Sequence, residues 1–566
     1  MTNHLLGLLV VIPMATSVVS VALVGRRRPQ RVLGVLSLGS MLLLSLRWLL
    51  EIRDGDVLVS QMGAWPAPFG ITLVFDSLSG LLICAGLVVA LGCYVHGFST
   101  LSPETERRYF HPLAQLLMVG VNQCFLTGDL FNLFVGFEIM LMASYGLLSI
   151  GGSRRQMGQA YKYLVLNLVA STVFVISAGL VYGMLGTLNL ADLARIVSGR
   201  VASGEGLPTG FVAVSVLLLF VFGAKGAMFP LWFWLPDTYH TPPVAVAALF
   251  SGLLTKVGVY AVARTFPLIF AVGEARDVVI PLLVVSAGVT MFLGVLGAVS
   301  QHNVRRILAI HVISQVGYMV FGLSMMTTAG LAGALYYMVQ HMVVKSSLFL
   351  CCGVMERHTG SDDLDKVGGL LRRDTFLGVS FFVAAMSLVG LPPLSGFFGK
   401  LVLIREGWGI HWWLSVIALL TGALTLLSML KVWTTGFWLP PGSETSTPTG
   451  EPGGLRGAYV GIGFLVITAL FIGLAAEPIY DIAFHAGEQL TDPTVYIEAV
   501  DPHGLVASLG GSGCVGDWAS TSARLASTWC GPTSEPGSGY LPASSSGSPS
   551  SRCMTSPPDV STTPFV

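Results

Sequence analysis

The chain has 566 residues, of which 53% are apolar and 11% are charged, and its mean hydropathy is +0.75. That much apolar surface exceeds what a soluble core can bury, so the composition predicts a polytopic membrane protein. The formal net charge is zero, which gives no electrostatic case for binding nucleic acid. The eight cysteines include no C-x-x-C pair, so we expect neither a zinc nor an iron–sulfur site.

Apolar windows of about 20 residues, the length that crosses roughly 30 Å of hydrocarbon as a helix, indicate an all-α protein with about fourteen membrane spans. In chain order the predicted spans are 4–24, 31–50, 76–96, 112–126, 129–150, 160–186, 210–235, 243–265, 277–299, 304–326, 331–355, 375–404, 411–438 and 457–475. The first span lacks a basic n-region and a small-residue cleavage site, which favours a retained helix over a signal peptide.

The arginines predict the orientation of these spans. One alternating set of loops carries five clusters: Arg26, Arg27, Arg28 and Arg31; Arg107 and Arg108; Arg154 and Arg155; Arg305 and Arg306; Arg372 and Arg373. The positive-inside rule places this set in the cytoplasm, so an even number of spans leaves both termini outside. The opposite loops are poorer in arginine but are not free of it, since they hold Arg53, Arg195, Arg200 and Arg264.

Two of the predicted spans contain proline breaks that a simple anchor helix does not need. Pro230 and Pro236 follow Lys225 in the seventh span, whereas Pro392 and Pro393 precede Lys400 in the twelfth. Proline lacks a backbone donor and interrupts a helix, and paired interruptions of this kind are typical of inverted repeats around an ion site. The breaks lie five spans apart, an odd number, so the two copies would have opposite orientations.

The predicted organisation follows from these breaks. Helices 1–3 occupy residues 1–110, a first five-helix repeat occupies 111–265, and an inverted second repeat occupies 277–438. A linker and the fourteenth helix follow in 439–480. Residues 504–566 are rich in Gly, Ser, Pro and Thr, and this composition predicts a disordered tail.

Glu138, Lys225, Lys256, Lys345 and Lys400 interrupt stretches that are otherwise apolar. A charge at bilayer depth costs about 2.5–3.5 kcal/mol on insertion scales, so such residues usually mark an ion route. A Glu–Lys pair in low dielectric couples the protonation of its members, and burial can lower the pKa of a lysine so that it can release its proton. Two structural alternatives stay open: Glu138 as a hydrogen bonder near a helix end, and Lys400 as a side chain that snorkels to an interface.

Histidines extend this polar set. His341 and Lys345 are four residues apart, which places them on one face of a helix, and His311 and Gln315 repeat the spacing in the preceding span. A lone histidine on an apolar helix is more often a core residue than a relay. Because each span adds a second polar residue and histidine titrates near neutral pH, the pattern favours a proton or water pathway.

Several motifs carry a family resemblance: FE at 137–138, GAKG at 223–226, PLW at 230–232, LPDTYHTPP at 235–243 and GLPPLSGF at 390–397. They resemble the proton-pumping antiporter-like family, which includes complex I membrane-arm subunits, membrane-bound hydrogenases and the A and D subunits of Mrp-type Na⁺/H⁺ antiporters. The runs IHVISQVGY at 310–318 and GAWPAPFGI at 63–71 are most similar to the D-type branch. The resemblance covers residues 1–480.

The resemblance implies a fourteen-helix subunit that works inside a multi-subunit antiporter. Glu138 and Lys225 would form its Glu–Lys pair, Lys256 would lead to the centre, and His341, Lys345 and Lys400 would continue the hydrated axis. Some family members carry Glu where this chain has Lys400. The implied partners are the A-, B-, C-, E-, F- and G-type membrane subunits, the lipid bilayer, and H⁺ and Na⁺ as transported ions. The sequence does not decide how this chain and its A-type partner divide the two ions; our hypothesis is that this chain carries protons.

We expect no cofactor and no metal, a secondary transporter component rather than an enzyme, and a location in the bacterial cell membrane. Two other functions remain open from the sequence. One is a proton-pumping membrane component of a complex I-like or hydrogenase-type redox complex. The other is a membrane scaffold that does not conduct.

Overall fold

The computed structural model describes residues 4–67, 69–440 and 454–500, and these residues are mostly helical. The all-α fold predicted from the sequence is confirmed. The predicted tail at 504–566, and most of the predicted linker before the last span, lie outside the described residues.

Twenty-one α-helices and two strands are described. They are α1 (Leu8–Ala22), α2 (Arg27–Glu51), β1 (Leu58–Gln61), β2 (Thr72–Phe75), α3 (Ser77–Thr100), α4 (Pro103–Thr105), α5 (His111–Leu126), α6 (Leu130–Ser149), α7 (Arg154–Leu185), α8 (Leu190–Ser203), α9 (Phe211–Gly226), α10 (Leu235–His240), α11 (Val244–Thr265), α12 (Gly273–Val299), α13 (Val304–Met325), α14 (Thr328–Thr359), α15 (Leu370–Arg373), α16 (Thr375–Val389), α17 (Ser395–Ile410), α18 (Trp412–Trp433), α19 (Arg456–Leu474), α20 (Ala476–Thr491) and α21 (Thr494–Val500).

Each of the fourteen predicted spans coincides with helix in the structure. Within the described ranges, ten helices are long and apolar enough to cross a membrane, and α1, α9 and α16 are shorter apolar helices. The number that cross the bilayer therefore stays a prediction. Helices α11 and α14 are enclosed by their neighbours, whereas α7 and α18 leave large apolar side chains exposed.

The two predicted breaks divide the seventh and twelfth spans. Helix α9 ends at Gly226 and α10 begins at Leu235, with Pro230 between them, while Pro236 lies in the first turn of α10, where proline is tolerated. Pro392 and Pro393 likewise lie between α16 and α17. Gly390 ends α16 with φ +92°, a conformation that glycine adopts at no steric cost.

Corresponding helices of the two halves of the chain pack against each other in the same way. Helices α5 and α6 pack at glycines, and a Cβ on Gly120 would collide with the backbone nitrogen of Met140. Helices α12 and α13 pack in the same way, since a Cβ on Gly317 would collide with the backbone nitrogen of Met291. This correspondence fits the predicted repeats, which themselves stay a prediction.

The elements without a counterpart in the sequence prediction include the antiparallel β1–β2 hairpin and the helices α4, α8, α15, α20 and α21. Hydrogen bonds join several of these elements to the rest of the chain and to one another. Gln489 of α20 donates to the Gly55 carbonyl at 2.8 Å, and Gln61 of β1 donates to the Val500 carbonyl of α21 at 3.2 Å. These elements are too short, or too polar on one face, to be detected in a search for apolar membrane spans.

A cluster of charged side chains connects α2 to the segment between α3 and α5. Glu106 is buried and accepts hydrogen bonds from Arg31 at 2.6 and 2.8 Å, from Arg27 at 3.3 Å and from His111 at 3.0 Å. Burial raises the pKa of Glu106, but these hydrogen bonds and the Arg31 charge outweigh it and bring the pKa to about 2.

Candidate functional site

A serine joins Glu138 to Lys225, the first two members of the predicted row of buried ionisable residues. This row consists of Glu138, Lys225, Lys256, His311, His341, Lys345 and Lys400. The Ser171 hydroxyl on α7 donates to a carboxylate oxygen of Glu138 on α6, and Lys225 Nζ on α9 donates to Ser171 Oγ at 3.2 Å. A hydroxyl can donate and accept at the same time, so it links the two charges. Lys225 is buried, and its ammonium lies 4.8 Å from the centre of the Phe137 ring. Ser171 therefore bridges the predicted pair of Glu138 and Lys225.

The helix break holds Lys225 in place. Lys225 is the next-to-last residue of α9, and the Trp234 indole beyond the break donates to the Ala224 carbonyl at 3.0 Å. Glycines let the end of α9 touch α11, since a Cβ on Gly258 would collide with the Gly226 nitrogen. Because both residues at this contact are glycines, the end of α9 that carries Lys225 packs directly against α11, which carries Lys256.

The centre of the row lies between α11 and α14. Lys256 on α11 is fully buried and donates to the Ser251 carbonyl of its own helix. On α14, Gln340, His341 and Lys345 are also fully buried. Among the residues that the structure describes, nothing hydrogen-bonds the Lys345 ammonium, either ring nitrogen of His341 or the Gln340 amide. Such groups are expensive to bury unpaired, and in protein interiors water commonly satisfies them.

A hydrogen-bonded group on three helices continues the row. His311 Nε2 on α13 lies 2.9 Å from Ser428 Oγ on α18, and Gln315, one turn further along α13, accepts a hydrogen bond from the Tyr337 hydroxyl on α14. The Tyr337 ring stacks on His341 at a centroid distance of 6.3 Å. The two predicted i, i+4 pairs therefore meet at Tyr337.

Lys400 ends the row at the second break. Its ammonium donates to the carbonyls of Leu388 at 3.1 Å and Val389 at 2.9 Å, the last two residues of α16. It also lies 4.7 Å from the centre of the Tyr318 ring. The C-terminal carbonyls of a helix favour a cation. The side chain is 6% exposed, so it points into the protein rather than to an interface.

An open cavity of about 500 Å³ lies on the side of the arginine clusters. It is lined by Arg155, His240, Arg305, Glu356, Arg357 and Asp362, among others. Arg305 pairs with Glu356, and His240 Nε2 lies 3.5 Å from Asp362. Burial raises the pKa of Asp362, but the His240 hydrogen bond and the Arg305 charge outweigh it and hold the pKa below its usual value. Because α11 begins and α14 ends at this cavity, water can reach the ends of both lysine-bearing helices.

The sequence prediction missed the hydroxyl residues that connect the charges: Ser171, Tyr337 and Ser428. It also treated Arg264 as part of an outer loop, whereas this residue is buried at the end of α11. Hydroxyl groups are common in apolar helices and carry no distinctive spacing, so no sequence signal separates these from their neighbours. Within the described part of the chain, no cluster of three or more His, Cys, Asp or Glu side chains suits a metal ion.

Comparison with known proteins gives consistent matches. Residues 127–425 match the family described as NADH:quinone oxidoreductase/Mrp antiporter, TM. The D-type subunit of the Na⁺/H⁺ antiporter of Alkalihalophilus pseudofirmus is 43% identical over 88% of this chain and 99% of its own length. Its counterpart in Bacillus subtilis is 40% identical over 78% of this chain and 87% of its own length. A chain in the structure of the Mrp complex from Dietzia superposes with a TM-score of 0.80 at 32% identity, covering 88% of this chain and 99% of that one.

Proposed function

Because this chain belongs to the NADH:quinone oxidoreductase/Mrp antiporter family, we propose that it is the D-type membrane component of a multi-subunit Na⁺/H⁺ antiporter and that its buried charged row conducts protons. The observation that carries the proposal is the Ser171 bridge between Glu138 and Lys225. It supplies a hydrogen-bonded route between an acid and a base at membrane depth. A purely structural pair would need no relay between its members.

The Ser171 bridge lets a proton pass from Lys225 to Glu138 without a mobile carrier. When Lys225 gives a proton to Ser171 Oγ and the hydroxyl gives its own proton to Glu138, both charges disappear together. In a low-dielectric interior the two protonation states are coupled, so a change in charge near either residue shifts the balance for both. A lysine suits this exchange because its ammonium can lose a proton, whereas a guanidinium stays charged.

The centre and the far end extend the path. Water that satisfies Lys345, His341 and Gln340 would connect Lys256 to the next helix. From there Tyr337 contacts both His341 and Gln315, and its ring lies 6.0 Å from the Lys400 ammonium. In this proposal Glu138, Lys225, Lys256, His311, His341, Lys345 and Lys400 are the conducting residues. Ser171 and Tyr337 connect them.

The chain would lie in the bacterial cell membrane with its arginine-rich loops in the cytoplasm and both termini outside. On this orientation the 500 Å³ cavity opens to the cytoplasm and supplies the row with water. The two relatives described above are named as D-type components of a Na⁺/H⁺ antiporter, which supports partners of the A-, B-, C-, E-, F- and G-type. We propose that those partners complete the sodium route and that this chain is a transporter component rather than an enzyme.

The redox-linked alternative has the same buried chemistry but a different source of energy. Identities of 43% and 40% to antiporter subunits favour the antiporter. The scaffold alternative predicts that the charges are dispensable for transport.

The test is Lys225→Ala in membrane vesicles that hold the complete complex, with Na⁺-, Li⁺- and K⁺-dependent ΔpH as the readout. We expect assembly to persist and cation-dependent ΔpH to fall to the level of vesicles without the complex. Lys162→Ala is the matched control, because Lys162 is an exposed lysine on α7. Unchanged ΔpH in an assembled Lys225→Ala complex would contradict the proposal and support a scaffold.

A further inference from the structure

Another buried charge pair lies at the end of α11 opposite the cavity. Arg264 donates from both terminal nitrogens to Asp76, at 2.6 and 2.7 Å, in a bidentate arrangement. Arg264 is 2% exposed and Asp76 is 1% exposed. The row described above does not include this pair, although each member lies at the end of a predicted membrane helix.

Aromatic side chains and two of the unpredicted elements adjoin the pair. Arg264 Nε donates to the Tyr260 hydroxyl at 3.2 Å, which in turn donates to the Phe125 carbonyl at 2.8 Å. The Tyr496 ring on α21 lies 5.2 Å from the guanidinium carbon. Asp76 directly follows β2 and caps α3. The hairpin therefore leads directly into the carboxylate, and Tyr496 of α21 packs against the guanidinium.

The pair is aligned with the central lysine. Lys256, Tyr260 and Arg264 are spaced i, i+4 and i+8, so they share one face of α11. Arg264 lies about 12 Å along the helix axis from Lys256 at 1.5 Å per residue. In the other direction α11 begins at Val244, in the wall of the 500 Å³ cavity. Helix α11 therefore runs from an open end at the cavity to a closed end at the ion pair.

We propose that the Arg264–Asp76 pair is an electrostatic barrier that stops a proton on Lys256 from escaping across the outer end of α11. Arg264 Nε bonds Tyr260, one turn nearer to Lys256, whereas its terminal nitrogens bond Asp76. A proton that approaches from Lys256 therefore meets the positive charge before the carboxylate that balances it. An arginine charge is used to exclude protons from water-filled pores. The guanidinium does not give up its own proton, so it cannot act as a relay. Without such a barrier, protons delivered to Lys256 would cross the membrane uncoupled from sodium.

The paired carboxylate keeps the guanidinium in position. Besides the two hydrogen bonds from Arg264, Asp76 accepts a third from the Ser79 backbone amide at 2.9 Å, so its orientation is fixed. The competing explanation is that the pair only joins α3 to α11. A buried ion pair is weak support for that role, since replacing both partners is often neutral for stability.

The inference rests on the proposed function in one respect, namely that Lys256 carries protons. It is tested by the passive proton permeability of vesicles that hold the complete complex, measured after a pH jump in the absence of Na⁺. The double variant Asp76→Asn/Arg264→Gln removes both charges and leaves no buried charge unpaired. We expect its permeability to rise on the order of tenfold, because the positive barrier is gone. Adding Lys256→Ala should return the permeability to the wild-type value.

Two comparisons separate a barrier from a structural contact. Asp76→Asn alone keeps the positive charge and should not leak. Arg31→Gln/Glu106→Gln removes an ion pair with a buried carboxylate that lies away from α11, and it should not leak either. Normal permeability in the assembled Asp76/Arg264 double variant would overturn the proposal. So would a leak that persists with Lys256→Ala, an equal leak in Asp76→Asn, or a double variant that fails to assemble. Loss of Na⁺-dependent ΔpH in Lys225→Ala is a separate readout, so failure of the antiport proposal is distinguishable.

Discussion

Replacing Ser171 by alanine removes the hydroxyl that joins Glu138 to Lys225 while leaving both charges in the protein. Lys225 Nζ lies 3.2 Å from Ser171 Oγ, and the same hydroxyl donates to Glu138. A hydrogen bond that involves a charged group contributes roughly 1.5–3 kcal/mol. If that stabilisation is lost from the transfer step, the rate falls by about 10- to 140-fold, since 1.4 kcal/mol corresponds to a factor of ten.

The assay is the initial rate of Na⁺-dependent ΔpH in vesicles that hold equal amounts of assembled complex. Ser177→Ala is the matched control, because Ser177 is also buried on α7 but its hydroxyl only donates to the Val173 carbonyl of its own helix at 2.7 Å. We expect Ser177→Ala to transport at the wild-type rate. Ser171→Thr retains a hydroxyl and should recover most of the rate lost in Ser171→Ala.

Wild-type transport by an assembled Ser171→Ala complex would refute the reasoning, because the acid and the lysine would then exchange protons without the bridge. A rate lost equally in Ser177→Ala would also refute it, since the effect would then come from the packing of α7.

Three further predictions address other parts of the structure. Tyr337→Phe should slow Na⁺-dependent ΔpH by about tenfold without loss of assembly, because it removes one hydrogen bond from the second half of the row, whereas Tyr336→Phe on the same helix should not. Gly258→Ala should destabilise the complex by about 1–3 kcal/mol in thermal unfolding, because its methyl group would meet the backbone at the end of α9, whereas Gly183→Ala, which meets open space, should be neutral. Glu106→Gln should lower the thermal midpoint at pH 7, because the depressed carboxylate pKa stabilises the fold above the unfolded value of 4.5. The difference in thermal midpoint between Glu106→Gln and wild type should shrink as the pH falls from about 4.5 to about 2. A difference that does not depend on pH would contradict the lowered pKa of Glu106.

The sequence was sufficient to predict the apolar helices and to single out the charged members of the row. Lys256 and Lys345 stand out in apolar runs because a charge at bilayer depth is expensive, and the breaks at Pro230 and Pro392 stand out because proline interrupts helices. Both are strong local signals. The structure brings these residues together on neighbouring helices in the order that the spans suggested.

The remaining parts of the account depend on tertiary contacts. Ser171 is one of many hydroxyls in apolar helices, and only the approach of α6, α7 and α9 gives it two charged partners. Arg264 lies at the edge of a predicted span, where an arginine is most simply taken to face water. Its partner Asp76 is 188 residues away along the chain, and a charge pair so distant in sequence has no local pattern. The β1–β2 hairpin and α21, which adjoin that pair, are too short to stand out in a search for spans.

The central claim is that Glu138 and Lys225 exchange protons as one unit. The most direct test is a double-mutant cycle of Na⁺-dependent ΔpH in vesicles with the complete complex, using Glu138→Gln, Lys225→Ala and the double variant. Residues that act as a unit are strongly non-additive, so we expect each single variant to abolish transport to the extent that the double variant does. Single variants with partial defects that multiply in the double variant, or any assembled variant with wild-type transport, would contradict the claim.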